Sequence, residues 1–147
     1  MTRLLPYLAG VSLLLCACQT GAQNQPTYPL TFEGHQPAHP MRLADGTPRT
    51  LPDGSPIQLA GGTFRLVLEA DGQVAVTRQL DDGRSFAYRG TCSAGSDPRL
   101  MRCTASDGVG VPLQFALALR DDWGGGEYRS QGYDPAFGVE RVQAAAE

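Results

Sequence analysis

The sequence predicts an all-β chain: a small antiparallel meander, barrel or open half-barrel, with one disulfide, preceded by a flexible proline-rich tether. Three observations carry that expectation. Apolar side chains recur at every second position through much of 57–147, the period of a strand with one buried face. Asp-Gly pairs at Asp71-Gly72, Asp82-Gly83 and Asp107-Gly108 separate the alternating runs, and they supply the positive φ a tight hairpin needs. No window of about ten residues carries a capped 3.6-residue period, so the crossover helices that parallel strands require are missing and a meander follows.

The N-terminus is a separate matter. Met1-Thr2-Arg3 is a short positive start, and Leu4 to Ala17 is uncharged and leucine-rich. That stretch is shorter than the ~20 apolar residues of a spanning helix and fits the apolar region of an export signal. It ends in Leu15-Cys16-Ala17-Cys18-Gln19. With an aliphatic residue three places before Cys18 and a small one just before it, this run resembles the bacterial lipoprotein signal class; Cys16 does not fit, because Leu15 would precede it. The resemblance covers about twenty residues. It implies cleavage before Cys18, acylation of that cysteine (a palmitate-type lipid anchor) and, since Gln19 is not Asp, delivery to the outer membrane facing the periplasm. Several acyl chains at ~0.8 kcal/mol per buried methylene make such anchoring stable. The expected division is therefore a signal peptide at 1–17, a lipid-anchored tether and turn-rich lead-in at 18–56, and an all-β domain at 57–147.

From Gln19 to Pro40 the chain is polar and broken by Pro26, Pro29, Pro37 and Pro40, which reads as an extended tether. A competing assignment makes the alternating Tyr28, Leu30 and Phe32 a first strand. A short tandem repeat follows, Leu43-Ala44-Asp45-Gly46-Thr47-Pro48-Arg49-Thr50 and Leu51-Pro52-Asp53-Gly54-Ser55-Pro56-Ile57-Gln58. Asp-Gly followed by Thr/Ser-Pro predicts two consecutive tight turns, and two copies are too few for a solenoid.

Phe64, Leu66, Leu68 and Ala70 then alternate with Thr63, Arg65, Val67 and Glu69 to give the first strand of the domain. Val74, Val76 and Leu80 make the return, and Phe86 and Tyr88 mark a third strand. Arg99 to Thr104 forms a fourth. Val109, Val111, Leu113, Phe115, Leu117 and Leu119 share one face of the longest run, which Pro112 places at a sheet edge or a bulge, because proline cannot donate to a ladder. Tyr128 and the segment Phe137 to Val142 complete the set.

So small a core needs help. Cys92 and Cys103 are the only cysteines left once the leader and Cys18 are set aside, and an exported chain meets oxidising conditions. A structural disulfide is expected, stabilising by ~3 kcal/mol on the chain-entropy account. If the two cysteines face each other, Phe86 and Tyr88 lie on their face of the sheet.

The formal net charge is −3, every cation is Arg, and removal of Arg3 with the leader leaves the chain more acidic. That argues against nucleic acid or anionic lipid as a partner. His35 and His39 flank Gln36-Pro37-Ala38 like half of a zinc site whose other half is missing. They are also the only histidines, so a Ser-His or Cys-His nucleophile would have to recruit one from the tether. Asp81-Asp82 and Asp121-Asp122 read as solvated turn residues, and calcium at Asp121, Asp122 and Glu127 lacks the alternate-residue spacing of an EF-hand loop. No catalytic residue, metal or cofactor is expected.

The best candidate for contact with a partner is Asp121-Asp122-Trp123-Gly124-Gly125-Gly126-Glu127-Tyr128, with Trp123, Asp121, Asp122, Glu127 and Tyr128 as the binding residues. It holds the only tryptophan, the residue type that dominates interface energetics. A competing arrangement folds Trp123 back to plug the open end of the sheet. The expected function is a non-catalytic protein-binding module, an inhibitor of an envelope hydrolase or an envelope-assembly accessory. The alternative is a lipocalin-like carrier of a small apolar ligand held between sheet faces, with Phe115 pointing inward.

Overall fold

A computed structural model describes residues 25–143; Cys18 and the leader lie outside the described residues. Ten strands follow in order: β1 (Leu30–Gln36), β2 (His39–Pro40), β3 (Gln58–Leu59), β4 (Gly62–Leu68), β5 (Gln73–Leu80), β6 (Ser85–Ala94), β7 (Leu100–Ser106), β8 (Pro112–Leu119), β9 (Gly125–Ser130) and β10 (Phe137–Val142). Eight of them close an antiparallel barrel in chain order, β1 to β4 and onward to β10, which returns to β1. The meander expectation therefore holds, and the sheet closes. β2 and β3 form a separate pair in the connection between β1 and β4.

Closure corrects the boundary at residue 57. Leu30 and Phe32 are fully buried, and β1 pairs with β10 on one side and β4 on the other. The alternation of two large apolar side chains outweighs the prolines around them, so the tether gives way to the barrel at Leu30. Pro112 is corrected too: it is neither at an edge nor in a bulge, but opens β8 opposite Ser106, the last residue of β7. A ladder that starts there loses nothing to the missing N–H.

The inward face is the one the alternation marks. Phe64, Leu66, Leu68, Val74, Val76, Phe115, Leu117, Leu119 and Val139 are buried, each by ~1.5–3 kcal/mol of removed apolar surface. Val109 and Val111 are not: they lie in the β7–β8 turn, 87% and 51% exposed. The Asp107 carboxylate accepts from both of their amides and Gly110 takes φ 87°, so the chain spends 107–111 on the turn rather than two residues.

Across β6 and β7, Cys92 stands opposite Cys103 and is bonded to it, with Phe86 and Tyr88 at alternate positions of the same face. Two inward glycines let so narrow a barrel bend. A Cβ at Gly90 would lie 2.0 Å from the Thr104 carbonyl oxygen, and one at Gly126 would lie 2.1 Å from that of Ala118; only a bare backbone fits there.

Candidate functional site at the two ends of the barrel

The strands leave two sets of loops. The entry end, where the chain arrives at Leu30, carries the turn at 69–72, the loop at 95–99 and the loop at 120–124. The far end carries the β2–β3 excursion, the turn at 81–84, the turn at 107–111 and the loop at 131–136.

At the entry end the Asp121–Gly124 loop is a tight turn. The Arg120 amide donates to the Gly125 carbonyl at 2.8 Å, the Trp123 amide donates to the Arg120 carbonyl at 3.0 Å, and Asp122 Oδ1 accepts from the Gly124 amide at 2.8 Å. Trp123 takes φ 59°, the left-handed region that non-glycine residues seldom occupy. That twist turns its ring into the barrel, where it is 8% exposed and joins the core. Two expected contact residues are thereby corrected: Trp123 is the plug of this end, and Tyr128 is 2% exposed at the centre of the interior. The cause of the second is register, since Tyr128 shares the inward parity of β9 and faces Leu117 and Phe137.

Around Tyr128 the interior is a stack of rings. Phe115 and Phe137 stack on it at centroid distances of 4.9 and 4.8 Å, and Phe64 tilts against it at 5.1 Å. Such pairs contribute ~0.5–1.5 kcal/mol each beyond their buried area.

Asp121, Asp122 and Glu127 remain at the surface, but each faces an arginine. Arg99 pairs with both Asp97 and Asp121, Arg120 with Asp122 at 3.7 Å, and Arg129 with Glu127 at 2.8 Å. Glu140, which the sequence did not single out, takes a two-pronged bond from Arg120 at 2.9 and 2.7 Å. That guanidinium holds the Glu140 carboxyl below its ordinary value. The Gly124 amide, followed by Arg120, does the same for Asp122. Between this loop and the incoming chain lies a cleft of about 660 Å³ lined by Pro26, Tyr28, Pro98, Arg99, Asp121 and Trp123.

The far end is built differently. The tandem repeat makes two turns of one geometry: the Leu43 and Leu51 amides donate to the Thr47 and Ser55 carbonyls, both at 2.8 Å, and Gly46 and Gly54 take φ 86° and 84°. Asp45 and Asp53 accept from the Thr47 and Ser55 amides at 2.9 Å. These bonds hold both carboxyls below their ordinary value, chiefly through the Thr47 amide for Asp45 and the Ser55 hydroxyl for Asp53.

Beneath them, His39 is buried. Its Nδ1 lies 3.0 Å from the Pro37 carbonyl and its Nε2 3.2 Å from Asp134 Oδ1, while Ser130 Oγ donates to Asp134 Oδ2 at 3.2 Å. The carboxylate stands between serine and imidazole, so His39 is not placed to take the Ser130 proton as a nucleophile's base must. The arrangement ties the excursion to the 131–136 loop. His35 faces away, with Asp81 at 3.3 Å, so the two histidines share no ligand. Among the described residues no three His, Cys, Asp or Glu side chains converge as a metal site.

Further in, Arg78 donates to Gln36 Oε1 at 3.2 Å and lies over the Phe64 ring at 5.1 Å. Arg78 Nε and the Tyr128 hydroxyl are buried without a partner, and burial pushes the Tyr128 phenol well above its ordinary value. Sequence reasoning places Tyr128 among the contact residues and misses its inward course, and it carries no signal that the hydroxyl goes unpaired.

The outer wall carries Arg65, Arg89, Arg102, Glu127 and Arg129, all exposed. An apolar interior with a charged wall is the reverse of a lipid-facing barrel, whose outward band is apolar. Among the described residues no helix is long and apolar enough to cross a membrane. The fold and its ends define a small up-and-down barrel, closed and filled by its own side chains. No protein family, curated protein or solved structure matches the chain.

Proposed function

We propose that the chain is a lipid-anchored, periplasm-facing module of the outer membrane that binds a protein partner on its outer surface and performs no chemistry itself. The anchor is Cys18, on the signal resemblance given above; the partner is an envelope hydrolase that it inhibits or an envelope assembly that it serves. The observation that carries the binding mode is the filled interior. Phe64, Phe115, Tyr128 and Phe137 occupy the middle of the barrel and Trp123 closes the entry end. A carrier of an apolar molecule needs the volume those rings take, so recognition falls to loops and wall. The acidic balance suits a cationic partner.

The test is native mass spectrometry of the full chain purified gently from the membrane. An acylated monomer with a co-purified protein supports the reading. A bare one counts against a constitutive partner as well as against a carried ligand, leaving a partner met only under particular conditions. A non-covalent adduct of a few hundred daltons would overturn it in favour of a carrier.

A further inference from the structure

We propose that the far end is the docking face, and that its occupant is a protein whose contact surface is cationic around an apolar recess. This rests on the protein-binding reading above and adds to it where the partner sits and what chemistry it presents. Among the described residues six large apolar side chains are conspicuously exposed, and five of them, Leu43, Leu51, Val109, Val111 and Tyr133, lie in far-end loops; the sixth is Leu100. Single exposed apolar residues are ordinary, whereas several gathered on one face mark an interaction site.

These five belong to one surface. A Cβ at Gly46 would lie 3.0 Å from the Tyr133 ring, which places the first turn of the excursion against the 131–136 loop. Gly132 and Asp134 of that loop share a cleft of about 450 Å³ with Pro112 and Leu113, directly after Val111. The two excursion turns are joined at their bases, where the Arg49 amide donates to the Met41 carbonyl at 2.9 Å and the Ile57 amide to the Arg49 carbonyl at 2.8 Å. The face is also held in shape before any partner arrives, by aspartate-capped turns and the His39–Asp134 tie, which lowers the ordering cost of binding.

Charge selects the occupant. Every turn that exposes an apolar residue carries an aspartate: Asp45 beside Leu43, Asp53 beside Leu51, Asp107 beneath Val109 and Val111, and Asp134 next to Tyr133. Asp45, Asp53 and Asp107 are bonded only to backbone amides or a serine hydroxyl, with no arginine partner among the described residues. At the entry end Asp97, Asp121, Asp122 and Glu140 are already paired with Arg99 and Arg120. Glu69 and Asp71 have no arginine partner among the described residues, but their turn exposes no large apolar side chain. Arg42 and Arg49 of the excursion bond the Gly46 carbonyl and Met41 Sδ rather than an acid. Yet the far-end loops hold six aspartates (Asp45, Asp53, Asp81, Asp82, Asp107 and Asp134) against three arginines (Arg42, Arg49 and Arg84). A cationic protein therefore finds a net negative charge around apolar anchors there, the arrangement that gives both steering and a buried centre. Residues 25–29 lead into β1 at the opposite end, so a tether upstream leaves this face outermost.

The test is photo-crosslinking in the cells that make the protein, on the full chain, with a photoreactive phenylalanine in place of Leu51, Val109 or, at the entry end, Asp71. The expected result is one cross-linked protein of basic isoelectric point from Leu51 and Val109, identified by mass spectrometry, and none from Asp71. Adding Leu43→Glu and Leu51→Glu to the Val109 probe should cut its yield by about tenfold or more, as loss of interface anchors does, with an unchanged circular dichroism spectrum.

Cross-links from Asp71 alone would overturn the docking face and leave the protein-binding reading standing. An acidic protein, a second copy of this chain or lipid captured at the far end would overturn the occupant. No cross-link from any of the three positions would overturn both.

Discussion

At the entry end the chain puts its only tryptophan inside and matches most of its surface acids with arginines; at the far end it leaves five large apolar side chains in water beside aspartates without an arginine partner. The two ends draw on the same residue types, acids and large hydrophobes, yet only the far end gathers several exposed apolar side chains beside acids without an arginine partner. Whether an aromatic residue in a glycine-rich loop seals a barrel or recruits a partner is decided by backbone: at φ 59° the Trp123 ring points into the core. In the excursion turns the left-handed residues are Gly46 and Gly54, and Leu43 and Leu51 before them stay outside.

The largest expected effect sets the ends against each other directly. Trp123→Ala removes a buried ring and should destabilise by about 3–5 kcal/mol, read by urea unfolding, whereas Leu43→Ala with Leu51→Ala should stay within about 1 kcal/mol. Equal losses would erase the distinction between plug and contact residues. Next in size, Cys92→Ala with Cys103→Ala should cost about 3 kcal/mol with the barrel signature retained in circular dichroism; no loss would mean that the β6–β7 ladder needs no cross-link.

A smaller effect comes from the interior. The Tyr128 phenol is pushed up by burial, so it stays protonated in the folded barrel while an unfolded tyrosine ionises near ~10. Its contribution is complete below that pH and is lost as pH rises further. Tyr128→Phe should therefore flatten the alkaline unfolding curve. It should also leave stability at neutral pH unchanged or raised by about 1 kcal/mol, because it deletes an unpartnered hydroxyl. A marked loss at neutral pH would show that the hydroxyl has a partner.

Smallest is Glu140→Gln. Arg120 holds the Glu140 carboxyl below its ordinary value, so this pair helps folding above the usual carboxylate range and the help fades as pH falls through the lowered value. The pair is exposed, so the expected change in melting temperature is slight and vanishes in high salt.

Most of the barrel was legible because its strands are strictly two-sided. The alternation of Phe64, Leu66 and Leu68, the Asp-Gly turns after them and the Cys92–Cys103 register all follow from local rules. The alternation of Tyr28, Leu30 and Phe32 offers β1 only as a competitor to the tether, because prolines flank it and nothing local says that β1 must meet β10 from the other end of the chain. Val109 and Val111 were misplaced because the alternation runs through a turn whose length depends on the Asp107 cap and Gly110. The inward course of Trp123 depends on one backbone torsion, which composition does not encode. The far-end surface was out of reach for the same reason as β1: it is assembled from four connections far apart in sequence, and only closure of the barrel gathers them.

The central claim is that the barrel is filled by its own side chains and sealed by Trp123. With one tryptophan in the chain, its fluorescence reports on that site alone. Blue-shifted emission that acrylamide barely quenches, moving to the red only on global unfolding, is the predicted result. Water-like emission that is freely quenched in the folded protein would contradict the account and return Trp123 to the surface as a contact residue.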